Sequence, residues 1–195
     1  MAQVLLQHRL DASRIEAHVH SAGEMRGGVS ASPGSVHAMA ARGLDLSQHR
    51  SRALSAELLR EADLVVTMAR RHVREAVLAC PEAWPRTFTL KELVRRGGEV
   101  GPRRKDQSLA AWLAEVGAGR RPSDLVGEAT TDDVADPIGS PDHAYERTAA
   151  ELSELIDRLV DLAFPNANAN AKRSADAGPG APAGASASPT VTQEG

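Results

Sequence analysis

The run Asp63-Leu64-Val65-Val66-Thr67-Met68 restricts the fold more than any other stretch of this chain. It is short, rich in β-branched residues and without alternation between apolar and polar positions, so it reads as a strand buried on both faces. Such strands belong to parallel sheets, whose crossover connections lay helices on either side. The neighbouring segments agree. Ser55 caps a helix in SAELLREA before the run, and a helix from about Ala69 to Ala79 follows it. Thr87-Phe88-Thr89-Leu90 reads as another strand, followed by a helical KELVRR, a basic loop to Lys105 and a helix around LAAWLAEV. Upstream, Ala2 to Leu10 sets Val4, Leu5 and Leu6 beside a polar face as a short helix would, and Ala17-His18-Val19-His20 reads as a short strand before Ser21-Ala22-Gly23. Ser32-Pro33 supplies a cap and a first-turn proline for a helix through Ala41, stopped by Gly43. Tyr145, Ala149, Leu152, Ile156, Leu159 and Ala163 recur at three- and four-residue spacings, one apolar stripe on a closing helix. The expected fold class is α/β, an open parallel sheet with helices on both faces.

Composition bounds the rest. A chain of 195 residues with 42% apolar content can bury one core. From Pro165 onward the residues are mostly Ala, Gly, Pro, Ser and Asn, and a segment with so few large apolar side chains cannot offset its ordering entropy by burial. The expected organisation is a domain over residues 1–164 and a disordered tail over 165–195. A net charge of −3 argues against nucleic acid as a partner. The chain has no apolar stretch near the roughly eighteen residues that span a bilayer, and no secretion-signal run, so a cytoplasmic protein with no membrane partner is expected. Its single cysteine, Cys80, cannot form an internal disulfide. The clusters Arg95-Arg96, Arg103-Arg104-Lys105 and Arg120-Arg121 read as solvated charge in Gly- and Pro-rich loops rather than as a docking surface for an acidic phosphoprotein.

The pair Asp136-Pro137, in VADPIGSPDHAY ahead of the closing helix, places a carboxylate before a fixed proline, which suits a general acid. On its own such an aspartate is more often a turn residue. Its surroundings change that reading. SAGE at Ser21 to Glu24, ARGLDLSQHRSRAL from Ala41 to Leu54, EADLVVTMARRH from Glu61 to His72, TFTLKEL from Thr87 to Leu93 and DVADPIG from Asp133 to Gly139 follow one another in an order and spacing that resemble the low-molecular-weight protein tyrosine phosphatases and their arsenate-reductase relatives. The resemblance runs from Met1 to about Phe164.

That resemblance implies a cysteine-dependent phosphomonoester hydrolase with no metal or other cofactor, acting on a phosphoprotein or a small aryl phosphate. In the family a C-x5-R loop after the first strand wraps phosphate with backbone N–H groups at a helix N-terminus, and the same positive setting makes the cysteine a thiolate. Asp136 matches the aspartate that protonates the leaving oxygen and then activates water. His49 matches a histidine that buttresses the phosphate loop through hydrogen bonds, and Ser21 a serine near that loop. Taken as bare residues, His49 reads as a surface or structurally satisfied histidine and Ser21 as the end of a strand at a turn.

The chain departs from the pattern at its start. It opens at Met1-Ala2-Gln3, where the family's loop closes in a segment like R-S-P-M-A-E, so the expectation is that the first strand and the phosphate loop are missing from this chain and that it is inactive as given. A start assigned too late and a truncated relative without activity both account for this; the latter would be a protein- or phosphoprotein-binding module. Cys80 and Arg86 fit C-x5-R formally, but Pro81 and Pro85 between them remove backbone donors that a phosphate cradle needs. Ile138 and Gly139 follow the Asp-Pro pair where the family usually has aromatic residues beside a phosphotyrosine ring, and a lone cysteine cannot support the arsenate-reductase thiol relay.

Overall fold

The structure, a computed structural model, describes residues 1–23, 27–125 and 130–165. Two strands, β1 (Val65–Thr67) and β2 (Thr87–Thr89), pair in parallel with Val65 opposite Thr87 and Thr67 opposite Thr89. Parallel pairing requires a crossover, and the chain makes it with a helix (Arg70–Ala79) followed by a 3-10 helix (Pro81–Arg86). Seven α-helices are described: α1 (Ala2–Ala12), α2 (Pro33–Ala40), α3 (Ala56–Glu61), α4 (Arg70–Ala79), α5 (Leu90–Val100), α6 (Leu109–Val116) and α7 (Asp142–Ala163).

Successive residues of β1 serve different cores, which is what a doubly covered strand does. Val66 packs against the main cluster, which holds Phe88, Leu93, Trp112 and Ile156, while Val65 faces a smaller cluster of Leu59, Ala76, Cys80 and Ala83. All three residues of β2 are buried. Fully burying a side chain such as Phe88 stabilises by about 2–3 kcal/mol. The closing helix α7 organises the main core: Tyr145, Ala149, Leu152, Ile156, Leu159 and Ala163 are all buried, and the helix packs on α1, α2 and α5.

Helix starts follow the sequence signals. Ser32, Ser55 and Ser108 each accept the backbone N–H three residues on, and Thr89 does the same for Glu92, so β2 runs into α5 with no loop and Leu90, expected in the strand, opens the helix. Gly43, at φ +72°, turns the chain after α2.

One expected strand is absent. Residues 17–20 form no strand, although Ala17 and Val19 are half-buried against the core and His18 and His20 exposed as an alternating strand would have them. Side chains of α1 meet their backbone instead: Gln7 Nε2 donates to Ala17 O (3.2 Å), Val19 N–H donates to Gln7 Oε1 (3.1 Å), and Gln3 Nε2 donates to Val19 O (3.0 Å). Alternation sets which side chains point inward; a ladder also needs a neighbouring strand. The tail expected over 165–195 lies outside the described residues after Pro165, as does Glu24 of the SAGE motif. Among the described residues no helix is long and apolar enough to cross a membrane.

Candidate functional site

The loop before α7 is held by three contacts, one to the end of β1, one to the start of α4 and one to α7. Val134 N–H donates to Met68 O (2.8 Å), and the Val134 side chain is buried. Asp133 Oδ1 accepts the N–H of Arg70 (2.8 Å). Position Ala69 precedes α4 and has no side chain able to cap it, so Asp133 supplies the cap from 63 residues away. Thr148 Oγ1 on α7 donates to Ala135 O (3.4 Å). These anchors fix the backbone up to Asp136, whose side chain is exposed. Pro137 has no N–H, so the carboxylate turns to the next amide: Asp136 Oδ1 accepts from Ile138 N–H (3.0 Å). Ser140 N–H closes the turn on Pro137 O (2.9 Å).

Asp136 lines a cleft of about 810 Å³ at the C-terminal end of β1, the place where open α/β sheets leave a crevice for ligands. The first turns of α1 (Met1, Ala2) and α4 (Arg70, Arg71, His72) border it, and Arg74 adds a further cation. Asp133 and Asp136 also line it, and the Asp133 carboxylate occupies the first N–H of α4, but three arginines and the start of α1 leave the cleft cationic on balance and suited to an anion.

Ser21 and His49 do not line the cleft. Both lie by the start of α1: Ser21 Oγ donates to Gln3 Oε1 (2.5 Å), and His49 is within electrostatic reach of the amino-terminal charge. His49 is half-buried, and its protonation is disfavoured first by that burial, then by the amino terminus and Arg50. Cys80 is 1% exposed. The Arg86 guanidinium is committed to three carbonyls, those of Glu82, Leu59 and Arg60, so the Cys80 to Arg86 segment forms no anion cradle.

Sequence reasoning missed Asp133 and the arginines of α4. Asp133 had a readable signal, a second acid three residues before Asp136 together with a helix lacking its own cap at Ala69. Each basic cluster is divided: Arg95, Arg104 and Arg121 are exposed as expected, while Arg96, Arg103 and Arg120 fold inward. Arg103 donates to the carbonyls of Ala163 at the end of α7 and of Gln107, and Arg96 to that of Val116. Arg120 has a side chain only 4% exposed, pairs with Glu92 at 2.8 Å and stacks on both Trp84 and Phe88. The spacing of charges along a loop does not show which of them fold back onto carbonyls and rings.

A family model described as low molecular weight phosphotyrosine protein phosphatase matches residues 1–101. A probable low molecular weight protein-tyrosine-phosphatase, EpsP of Ralstonia solanacearum, is 35% identical over 94 residues, which is 48% of this chain; the match spans 62% of that curated relative's length. Among solved structures, the low molecular weight protein tyrosine phosphatase from T. tengcongensis is 31% identical with a TM-score of 0.61, covering 82% of this chain and 87% of that one. The YwlE arginine phosphatase from Geobacillus stearothermophilus is 25% identical with a TM-score of 0.57, covering 92% and 89%.

Proposed function

Because the chain belongs to the low molecular weight phosphotyrosine protein phosphatase family, we propose that it carries the acid side of a cysteine-dependent phosphomonoester hydrolase, with Asp136 as the proton donor. The observation that carries this reading is the tether of Asp133, Val134 and Ala135, which sets Asp136 at a cation-lined cleft beyond β1. The family match ends at residue 101, so the role of Asp136 rests on that geometry and on the structural likeness over most of the chain.

In such a hydrolase a thiolate attacks phosphorus in line, the bond to the leaving oxygen breaks, and that oxygen takes the proton of the aspartic acid. Water then attacks the phosphocysteine, gives its proton to the aspartate and releases phosphate and thiolate. Asp136 suits both steps, being open to solvent yet oriented at one oxygen by Ile138 N–H. Ser21 and His49 would buttress the structure at the start of α1. The substrate is a phosphoprotein or a small aryl phosphate, handled in the cytoplasm by a domain over residues 1–164. The one cysteine of these 195 residues is the buried Cys80, which does not line the cleft, and this supports the reading that these residues alone lack the nucleophile.

Hydrolysis of p-nitrophenyl phosphate tests this. The 195-residue chain should give no turnover. A form extended at its amino end by a strand and a C-x5-R loop should turn over, and Asp136→Asn should slow that form by about 10²–10⁴-fold. Equal rates for the extended parent and its Asp136→Asn variant would remove the acid role. A second reading, a catalytically inactive relative that binds a protein or phosphoprotein, is favoured by a cationic cleft that Cys80, buried at the far end of α4, does not line. Binding of phenyl phosphate without turnover in both the 195-residue and the extended forms would establish it.

A further inference from the structure

A second, smaller pocket of about 220 Å³ lies between α4, α5 and the 3-10 turn Pro122–Leu125, and it shares Arg70 with the cleft. Four guanidinium groups line it, those of Arg70, Arg95, Arg96 and Arg120, against the three carboxylates of Glu92, Asp124 and Asp132. Each carboxylate is already engaged. Glu92 pairs with Arg120 (2.8 Å) and Arg96 (3.3 Å), Asp132 with Arg95 (3.0 Å), and Asp124 with Arg121, through its side chain at 3.6 Å and its backbone N–H at 2.9 Å. Arg121 does not line the pocket. The half-buried Arg70 guanidinium is left with no hydrogen bond or ion pair among the described residues.

One further donor is unmet, and a neighbouring cation is ion-paired, among the described residues, only with the carboxylate that it shares with Arg96. Arg96 Nε is buried and, although 3.3 Å from Glu92 Oε1, is not aligned with any acceptor. Arg120 is almost fully enclosed, and burial holds its guanidinium below the usual value despite the opposing pull of Glu92. A buried cation cluster with unsatisfied donors is stabilised by an anion, and guanidinium forks fit carboxylate and phosphate oxygens in particular.

We propose that this pocket is an oxyanion site for the carboxylate or phosphate of a residue flanking the scissile group of a phosphorylated peptide, with Arg70 bridging it to the cleft. This rests on the reading of the cleft as the phosphomonoester site. The volume admits a carboxylate or a phosphate, and a peptide whose phosphorylated side chain enters the cleft carries its neighbouring residue past Arg70.

The test uses the 195-residue chain labelled with 15N at arginine. On titration with inorganic phosphate, the Nε–Hε signals of Arg96 and Arg120, which line the pocket and not the cleft, should move along one saturable curve. Arg70→Gln, with a melting temperature like the parent's, should weaken that curve about tenfold, the loss of one charge-assisted hydrogen bond. In a second arm, a phosphotyrosine peptide with acidic flanks should bind about tenfold tighter than one with alanine flanks. Arg95→Gln, which touches only the pocket, should shrink that advantage without altering binding of the neutral peptide. The proposal is overturned if Arg96 and Arg120 show no saturable response to phosphate, or if the two peptides bind alike. Failure of the cleft reading is a separate result, in which the neutral peptide does not bind at all while the pocket signals still respond to phosphate.

Discussion

Replacing Gly34 by alanine opposes two effects of comparable size, and the structure decides between them. Gly34 is the second residue of α2, and a Cβ built there would lie 2.6 Å from both Cδ2 and Cε2 of Tyr145 and 2.8 Å from Cγ. Ordinary carbon contacts are about 3.5–4.0 Å, so the overlap is about 1 Å. The ring cannot swing away easily, because Tyr145 is 6% exposed and sits on α7 within the main core. Forcing a methyl group into such a contact costs about 1–3 kcal/mol. Alanine's helix propensity returns at most about 1 kcal/mol, less in a first turn than in a helix interior. The net expectation is a loss of about 1–2 kcal/mol, a fall in Tm of about 3–6 °C for a domain of this size. Urea and thermal unfolding followed by circular dichroism would read it. In a Tyr145→Leu background the ring atoms are gone and Gly34→Ala should become neutral or stabilising, so a double-mutant cycle isolates the contact. A Gly34→Ala protein more stable than its parent would refute the reasoning.

Removing the cap on α4 with Asp133→Ala should cost about 1 kcal/mol in denaturant unfolding and speed hydrogen exchange at the Arg70 amide, whereas Asp133→Asn should retain most of both. Cys80, enclosed by Leu59, Ala76 and Ala83, should react with Ellman's reagent only as the protein unfolds, and stoichiometric labelling of the native chain would contradict its burial. His49 is harder to protonate in the folded chain than at its ordinary value of 6.5, so the native state binds fewer protons than the unfolded state as pH falls. Its contribution to stability is therefore full above about pH 6.5 and declines as pH drops below it, and His49→Gln should flatten stability against pH between about 5 and 7.

The resemblance of Asp136 and its neighbours to a known family was legible because the motifs occur in order along the chain, and the elements that carry them formed where local signals placed them. β1, β2, α4 and α7 each have a signature within a few residues, whether β-branched runs or apolar positions at helical spacing. The strand expected at Ala17 to His20 failed for the opposite reason: its inward and outward side chains are local, while its pairing depends on what lies beside it.

The site divides along the same line. Residue type and short-range spacing were enough for the α/β class and for the caps at Ser32 and Ser55, and the order of motifs along the chain nominated Asp136 as the candidate acid. It took the packed fold to show that Asp133 caps a helix 63 residues upstream, that Ser21 and His49 gather by the start of α1 rather than at Asp136, and that Arg96, Arg103 and Arg120 fold onto carbonyls, a carboxylate and rings. A carboxylate finds an orphan helix N–H, and a guanidinium finds a carbonyl or a ring, by where the packed helices bring them; no spacing along the chain encodes that meeting.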